Sequence, residues 1–546
     1  MKSLIVSLFL LLSVVFSFGQ SAPPEDAVLS AQFDQMLTNQ YGGQQPGATV
    51  LVARYGDVIY RKAFGMADLE LNVPMKPDMI FEVGSLTKQF TAISILILVE
   101  NGQLNLDDDI RKFIPNYPSR GFTITIHDLL THISGIASYT NLEGWEDKLD
   151  YEPKEFIDFF KDQPLDFAPG EKYEYNNSSY YILGYIIEKA SGYTYPDFLE
   201  NHIIQPLGLR NTYYSTKKRT IKNRANGFQK YGNEYINTGY ATFTPPYAAG
   251  SLMTNVDDLF KWHVALHSGR LIEKGTLERA FREYKLNDGD DIFYGYGWAL
   301  KHINDSPTYE HPGGIWGYSV NQIYLPEEDV FVAVFSNCDC NPPVNISTRM
   351  AAVAINKPYE WQAIKLEDKD LMKFTGIYQF EDESIRSITF ENGQLYSQRS
   401  GQPRYKMYPY ESTKFFFEDS FTTLEFVGIT GRFSKGVITR NRNTWKYSQR
   451  NDNLLKEEIY LDESILQKYV GIYKLDDNMY VTVTLETGKL MTQATGQKKL
   501  QIFPESEREF FFKVVYAQIE FIVTGGEVTD LVLTNAGNKI KAAKIE

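Results

Sequence analysis

Four anchors in the last third of the chain recur at one constant spacing, and this spacing limits the fold more than any other feature. LMKFTGIYQF at 371 returns as LQKYVGIYKL at 466, and ENGQLYSQRSGQ at 391 returns as ETGKLMTQATGQ at 486. KFFFED at 414 aligns with EFFFKV at 509, and LEFV at 424 with IEFI at 519. Every offset is 95 residues, with no gap. The two stretches therefore read as copies of one structural unit. Each holds about eight short β-rich runs between turn signals. In the first copy they begin near Phe374, Ser384, Gln394, Arg404, Lys414, Thr422, Phe433 and Thr444. Eight short antiparallel strands can close into a small barrel without an open edge. Two all-β barrel-like units are predicted, over 366–455 and 461–546. Neither gathers a serine, a histidine and an acid, so packing, stability or partner contact is the expected role; a ligand cavity is the alternative.

Ahead of these units the pattern is mixed. GATVLVARYGDVIYRKAFG (47–65) is two β-rich runs around Tyr55-Gly56-Asp57, which reads as a hairpin. LTKQFTAISILILVENGQ (86–103) and SSYYILGYIIEKASG (178–192) read as helices, each with a glycine at its stop. FYGYGWALKHI and QIYLPEEDVFVAVFSN read as strands again. Strands at both ends with helices between them predict an α+β domain over 31–357, its terminal strands sharing one antiparallel sheet flanked by a helical region. With 546 residues, three domains fit the length.

The first residues, MKSLIVSLFLLLSVVFSFGQ, place one lysine before a short apolar run with Ser17 and Gly19 behind it. This predicts a signal peptide over 1–19 and a secreted or periplasmic protein. No transmembrane anchor is expected after cleavage, because the run is short for a span of ~20 residues. The net charge of −14 argues against nucleic acid or an anionic membrane as partner. The two cysteines, Cys338 and Cys340, form a C-x-C pair, weak as a zinc signal; two thiols or a local disulfide are the alternatives. No metal and no cofactor are expected.

The chemistry centres on Ser85 and Lys88. They stand three apart after the strand-like MIFEVG and open an apolar helix, so they share a face one turn apart. A serine cap followed by an exposed lysine would look the same in isolation. A lysine does not suit the positive end of a helix, however, whereas a lysine beside a hydroxyl can relay its proton. A second S-x-x-K, Ser215 to Lys218, lies in a polar, basic run and reads as a loop. Y-x-N occurs at Tyr139, Tyr175, Tyr231 and Tyr235, but only Tyr175 sits between a Pro-Gly turn and an apolar helix. His311-Pro312-Gly313-Gly314 precedes a strand; the H-x-G at His267 ends a helix instead.

S-x-x-K, Y-x-N and H-x-G in this order resemble the serine β-lactamase and penicillin-binding-protein superfamily, in its class C-like peptidase and esterase branch. ITIHDLLTHISGI (124–136), IIQPLGLRNT (203–212) and YAAGSLMTNVDDL (247–259) also resemble that branch. The resemblance covers about residues 35 to 357. The C-terminal units bear a looser likeness to the lipocalin-like domains appended to some of its peptidases. The resemblance implies an acyl-enzyme at Ser85, with Lys88 hydrogen-bonded to it and Tyr175 as general base that returns the proton to the leaving group. Asn177 would hold Lys88 and the substrate carbonyl; His311 and Gly313 would line the substrate site. The amides of Ser85 and Gly314 would form the oxyanion hole. A cationic Lys88 beside a tyrosinate-like Tyr175 is the implied charge state. Class C β-lactamases usually carry lysine where His311 stands. Histidine there favours a D-amino-acid peptidase, D-Ala carboxypeptidase-like or esterase activity on a small-molecule or peptide substrate. A weak class C β-lactamase and a non-hydrolytic penicillin- or peptide-binding sensor are the alternatives. His127 and His132 read as structural. Self-association through the C-terminal units is a further expectation.

Overall fold

Runs such as ATVLVAR and VFVAVFS are apolar at nearly every position, the pattern of strands covered on both faces. A computed structural model bears this out. It describes residues 25–545, apart from 217–218, 233, 240, 360, 381–384, 400–403, 418–420, 430–431, 441–442, 451–457, 476–478, 487, 496–498, 513–516 and 536–537. The expected signal at 1–19 and Lys218 of the second S-x-x-K lie outside the described residues.

The central sheet is built from β1 (Ala48–Arg54), β2 (Asp57–Phe64), β3 (Ala299–Ile303), β4 (Ser306–Ile315), β5 (Tyr318–Leu325) and β6 (Val330–Ser336). Their order is β3-β4-β5-β6-β1-β2, antiparallel throughout. The first and last strands of the region thus meet, with Val50 opposite Val334. The hairpin β1–β2 turns at Tyr55 and Gly56, whose φ values of 53° and 80° are those of a tight primed turn. FYGYGWALKHI, expected as one strand, is a strand only from Ala299; the glycines at 295 and 297 pack against backbone instead.

Alternation divides the sheet between two cores. Leu51, Ala53, Ala333 and Phe335 face the helical region, which includes α2 (Thr87–Glu100), α3 (Asn177–Ser191) and α4 (Val256–His267). Val50, Val52, Val332 and Val334 face α1 (Glu25–Tyr41) and α5 (Val344–Ala354). Each such side chain, fully buried, contributes about 1.5–3 kcal/mol. α2 is buried over nearly its whole length and ends before Gly102, at φ 67°. α3 ends at Gly192, at φ 78°. Both glycines supply the left-handed stop that a side chain resists.

The first C-terminal unit is a closed barrel of eight strands, from Gly376–Phe380 to Asn443–Arg450, its last strand paired with its first. The second forms a row of nine strands. The two ends of that row, Leu500–Gln501 and Phe503–Pro504, are separated only by Ile502, so the sheet comes round on itself through one kinked segment. Strands starting at 376, 385, 394, 414, 422, 432 and 443 have counterparts at 471, 480, 489, 509, 517, 527 and 538. Gly376 and Gly471 share φ 154°, and Tyr378 and Tyr473 each donate a hydrogen bond to the carbonyl four residues earlier. Among the described residues, no helix is long and apolar enough to cross a membrane.

Candidate active site

Gly84 to Leu86 form a single tight turn that runs into α2, which sets Ser85 at the helix mouth and Lys88 one turn inside. Lys88 Nζ lies 3.1 Å from Ser85 Oγ, 2.8 Å from Asn177 Oδ1 and 2.9 Å from the Ala249 carbonyl oxygen. It is fully buried, and burial pushes its pKa well below the ordinary lysine value. Asn177 is the first residue of α3, where Asn176 caps the helix by accepting from the Ser179 amide. The cap explains the asparagine inside the Y-x-N: it ties the helix start to the Ile136 carbonyl as well.

Tyr175 stands just ahead of that cap. Its hydroxyl shares a hydrogen bond with Ser85, and its ring centre is 4.8 Å from Lys88 Nζ. The side chain is 38% exposed at the site's mouth, while the hydroxyl end is enclosed. Burial raises the phenol pKa, with the Ser85 hydrogen bond opposing the rise. Burial thus favours the uncharged form of both Lys88 and Tyr175. Desolvation penalises both charges of the expected lysinium–tyrosinate pair.

On the opposite wall, β3 pairs with β4 only as far as Glu310. Residues 311–315 keep β5 on one side and turn their other edge towards Ser85. The approach is backbone against backbone. A Cβ on Gly84 would meet the Gly314 oxygen at 2.6 Å, and one on Gly313 would meet the Val83 oxygen at 2.0 Å. Gly84 also holds φ 50°. A Cβ on Gly314 would meet nothing within 4 Å. Gly84 in the turn and Gly313 in the strand, both without side chains, are what bring Ser85 and Gly314 together.

His311 is only 2% exposed. Its Nδ1 lies 2.6 Å from the Pro312 carbonyl oxygen and its Nε2 lies 2.9 Å from the Tyr294 hydroxyl. A carbonyl can only accept, so the ring proton sits on Nδ1 and Nε2 accepts from Tyr294. Burial, followed by the nearby Lys88, pushes the His311 pKa down to about 3. The ring is neutral, and both of its nitrogens are engaged within the protein.

Ser85, Lys88, Tyr175, Asn177, His311, Gly313 and Gly314 thus converge from three separate segments. Sequence reasoning missed the Ala249 carbonyl, although YAAGSLMTN had been singled out. It also missed Tyr294 and assigned His132 no part; His132 lies with its ring centre 4.4 Å from that of Tyr175. A main-chain acceptor and a ring from an irregular segment carry no residue-type signal. Ser215 donates its amide to the Ser251 carbonyl. Cys338 and Cys340 are joined as a disulfide.

Comparison with known proteins identifies the family and the fold. Residues 33–357 match the family profile described as Beta-lactamase, and residues 455–544 match a domain of unknown function, DUF3471. Penicillin-binding protein 4* of Bacillus subtilis (strain 168) is 29% identical over 408 residues, covering 70% of this chain and 90% of that protein. Among solved structures, the octameric penicillin-binding protein homologue from Pyrococcus abyssi is 25% identical with a TM-score of 0.56, covering 77% of this chain and all of that one. A D-stereospecific amidohydrolase from Streptomyces sp. is 26% identical with a TM-score of 0.50, covering 57% of this chain and 94% of that one. The profile spans more than half of the chain and the fold is shared, so this chain belongs to the beta-lactamase family of serine hydrolases.

Proposed function

We propose that the protein hydrolyses amide bonds of small D-amino-acid peptides or amides through an acyl-enzyme on Ser85. The observation that carries this reading is the coordination of Lys88. An uncharged amine has two N–H bonds and one lone pair. The two hydrogens go to Asn177 Oδ1 and the Ala249 carbonyl, groups that accept and cannot donate once the Asn177 amide is so oriented. In the uncharged form that this reading requires, the lone pair faces the Ser85 hydroxyl, 3.1 Å away.

The proton path follows. Ser85 Oγ attacks the substrate carbonyl while its proton passes to Lys88 Nζ. Tyr175 donates its own proton to the leaving nitrogen as the carbon–nitrogen bond breaks. The acyl-enzyme then holds a lysinium and a tyrosinate side by side, each offsetting the other's burial. Tyr175 next takes a proton from water, which attacks the ester, and Lys88 returns its proton to the departing Ser85 oxygen. In this cycle Tyr175 acts as general acid first and general base second. The Ser85 and Gly314 amides receive the oxyanion; one such donor is worth about 3–4 kcal/mol of barrier.

The edge at 311–315 that β3 leaves unpaired suits an extended peptide backbone, which can pair with it as an added strand. His311 supports that edge through Tyr294 and supplies no charge, which weighs against efficient hydrolysis of a carboxylate-bearing β-lactam. Similarity to a D-stereospecific amidohydrolase supports the D configuration. We assign the catalytic unit to 31–357 and the two β units to 366–455 and 461–546. Export through residues 1–19 and self-association through the β units complete the reading; a similar protein is octameric, which supports self-association. Rates on a D-amino-acid p-nitroanilide and its L enantiomer test it. The D substrate should turn over at least about tenfold faster. Preference for L, or cleavage of p-nitrophenyl esters alone, would replace the D-peptidase reading with an esterase.

A further inference from the structure

We propose that His132 is the positioning residue of Tyr175, gripping the chain on both sides of it and fixing its ring against Ser85 and Lys88. The inference rests on the acyl-enzyme reading above. The His132 carbonyl accepts the Glu174 amide at 3.0 Å, and its Nδ1 accepts the Asn176 amide, also at 3.0 Å. The residue between those two amides is Tyr175. The imidazole face then packs on the Tyr175 ring, with centroids 4.4 Å apart and planes tilted by 40°. Main chain and side chain of Tyr175 are thus both held by one residue.

Two features of His132 are costly on packing grounds alone. Its backbone is left-handed, at φ 61°, a conformation that side chains resist. Nδ1 is an acceptor, so the ring proton lies on Nε2, and that buried nitrogen has no hydrogen-bond partner among the described residues. The rings of Tyr175, Tyr180 and Tyr294 surround it at 4.4–5.0 Å. Asparagine would tolerate the left-handed backbone and supply the acceptor, but it has no ring to lay against Tyr175. Phenylalanine would supply the ring without the acceptor, leaving the Asn176 amide unpaired. Histidine supplies both, provided it is uncharged. Burial holds it so. A protonated ring would lose the acceptor and release the Asn176 amide.

The test is a double-mutant cycle on the full chain, with p-nitrophenyl acetate as probe. His132→Asn, His132→Phe, Tyr175→Phe and the two doubles are compared after thermal unfolding confirms a folded state. His132→Asn keeps the backbone and the acceptor, so it carries the test if His132→Phe fails to fold. Each His132 variant should lower kcat by about ten- to a hundredfold, the scale of a small misplacement, with KM within about twofold. In the Tyr175→Phe background the same changes should cost nothing more. An additive loss, a loss confined to KM or a wild-type rate would overturn the clamp while leaving Tyr175 in its role. Full activity of Tyr175→Phe would instead refute the reading of Tyr175, and the clamp with it.

Discussion

His311 shows how burial sets the chemistry of a single side chain. A free imidazole takes a proton near pH 6.5; this one resists to about 3, because it is enclosed and faces Lys88. The consequence for stability has a definite sign. Between those values the unfolded chain binds a proton that the folded chain refuses, so acid pulls the equilibrium towards unfolding. His311 should therefore cost about 1.4 kcal/mol of stability for each unit that pH falls from 6.5 towards 3. Urea unfolding of wild type and His311→Gln at pH 6 and pH 4 isolates this contribution. The wild type should lose more stability than the variant, and the pH–rate profile should show no ionisation of His311 near neutrality. Equal losses in both proteins would mean that the ring protonates in the folded state.

At the scale of the element, the site depends on two peptide segments that touch because they lack side chains. A methyl on Gly313 would meet the Val83 oxygen at 2.0 Å, so strand and turn must part. A methyl on Gly314 meets open space. Gly313→Ala should lower stability by about 1–3 kcal/mol and abolish most activity, whereas Gly314→Ala should leave the melting temperature nearly unchanged. Differential scanning calorimetry separates the two; equal destabilisation would contradict the approach described. The same scale shows what was legible in the sequence. Glycine stops at 102 and 192, the Tyr55-Gly56 turn and the strand starts of the first barrel are local signals, written in residue type and period. The Lys88–Ala249 contact, the irregular path through Tyr294 and the hold of His132 on Tyr175 arise where distant segments meet. Each depends on tertiary packing, which the sequence pattern does not encode locally. The burial that lowers the Lys88 pKa is likewise a property of the fold.

Across the whole molecule the apolar cores keep to their own regions. Among the described residues, three lie within residues 29–354, one within 371–438 and one within 466–542. Contacts across the first junction include the Tyr359 ring on Phe421, 4.4 Å between centroids, and Trp361 on Tyr410 at 4.5 Å. Domains with separate cores fold as separate units. A fragment of residues 25–359 should therefore fold and retain hydrolytic activity, and the full chain should melt in more than one calorimetric transition. A single transition, with an unfolded fragment, would mean that the barrels are integral to the catalytic unit.

The central claim is that Ser85 carries the acyl group, and intact-mass spectrometry tests it most directly. Wild type and Ser85→Ala are each mixed with an activated ester and, separately, with a penicillin, then quenched at short times. The account expects an adduct of the acyl mass on the wild type, decaying as product forms, and none on Ser85→Ala. A wild-type adduct that never decays would make the protein a covalent sensor. Equal labelling of both proteins, or no adduct and no turnover in either, would contradict nucleophilic catalysis at Ser85.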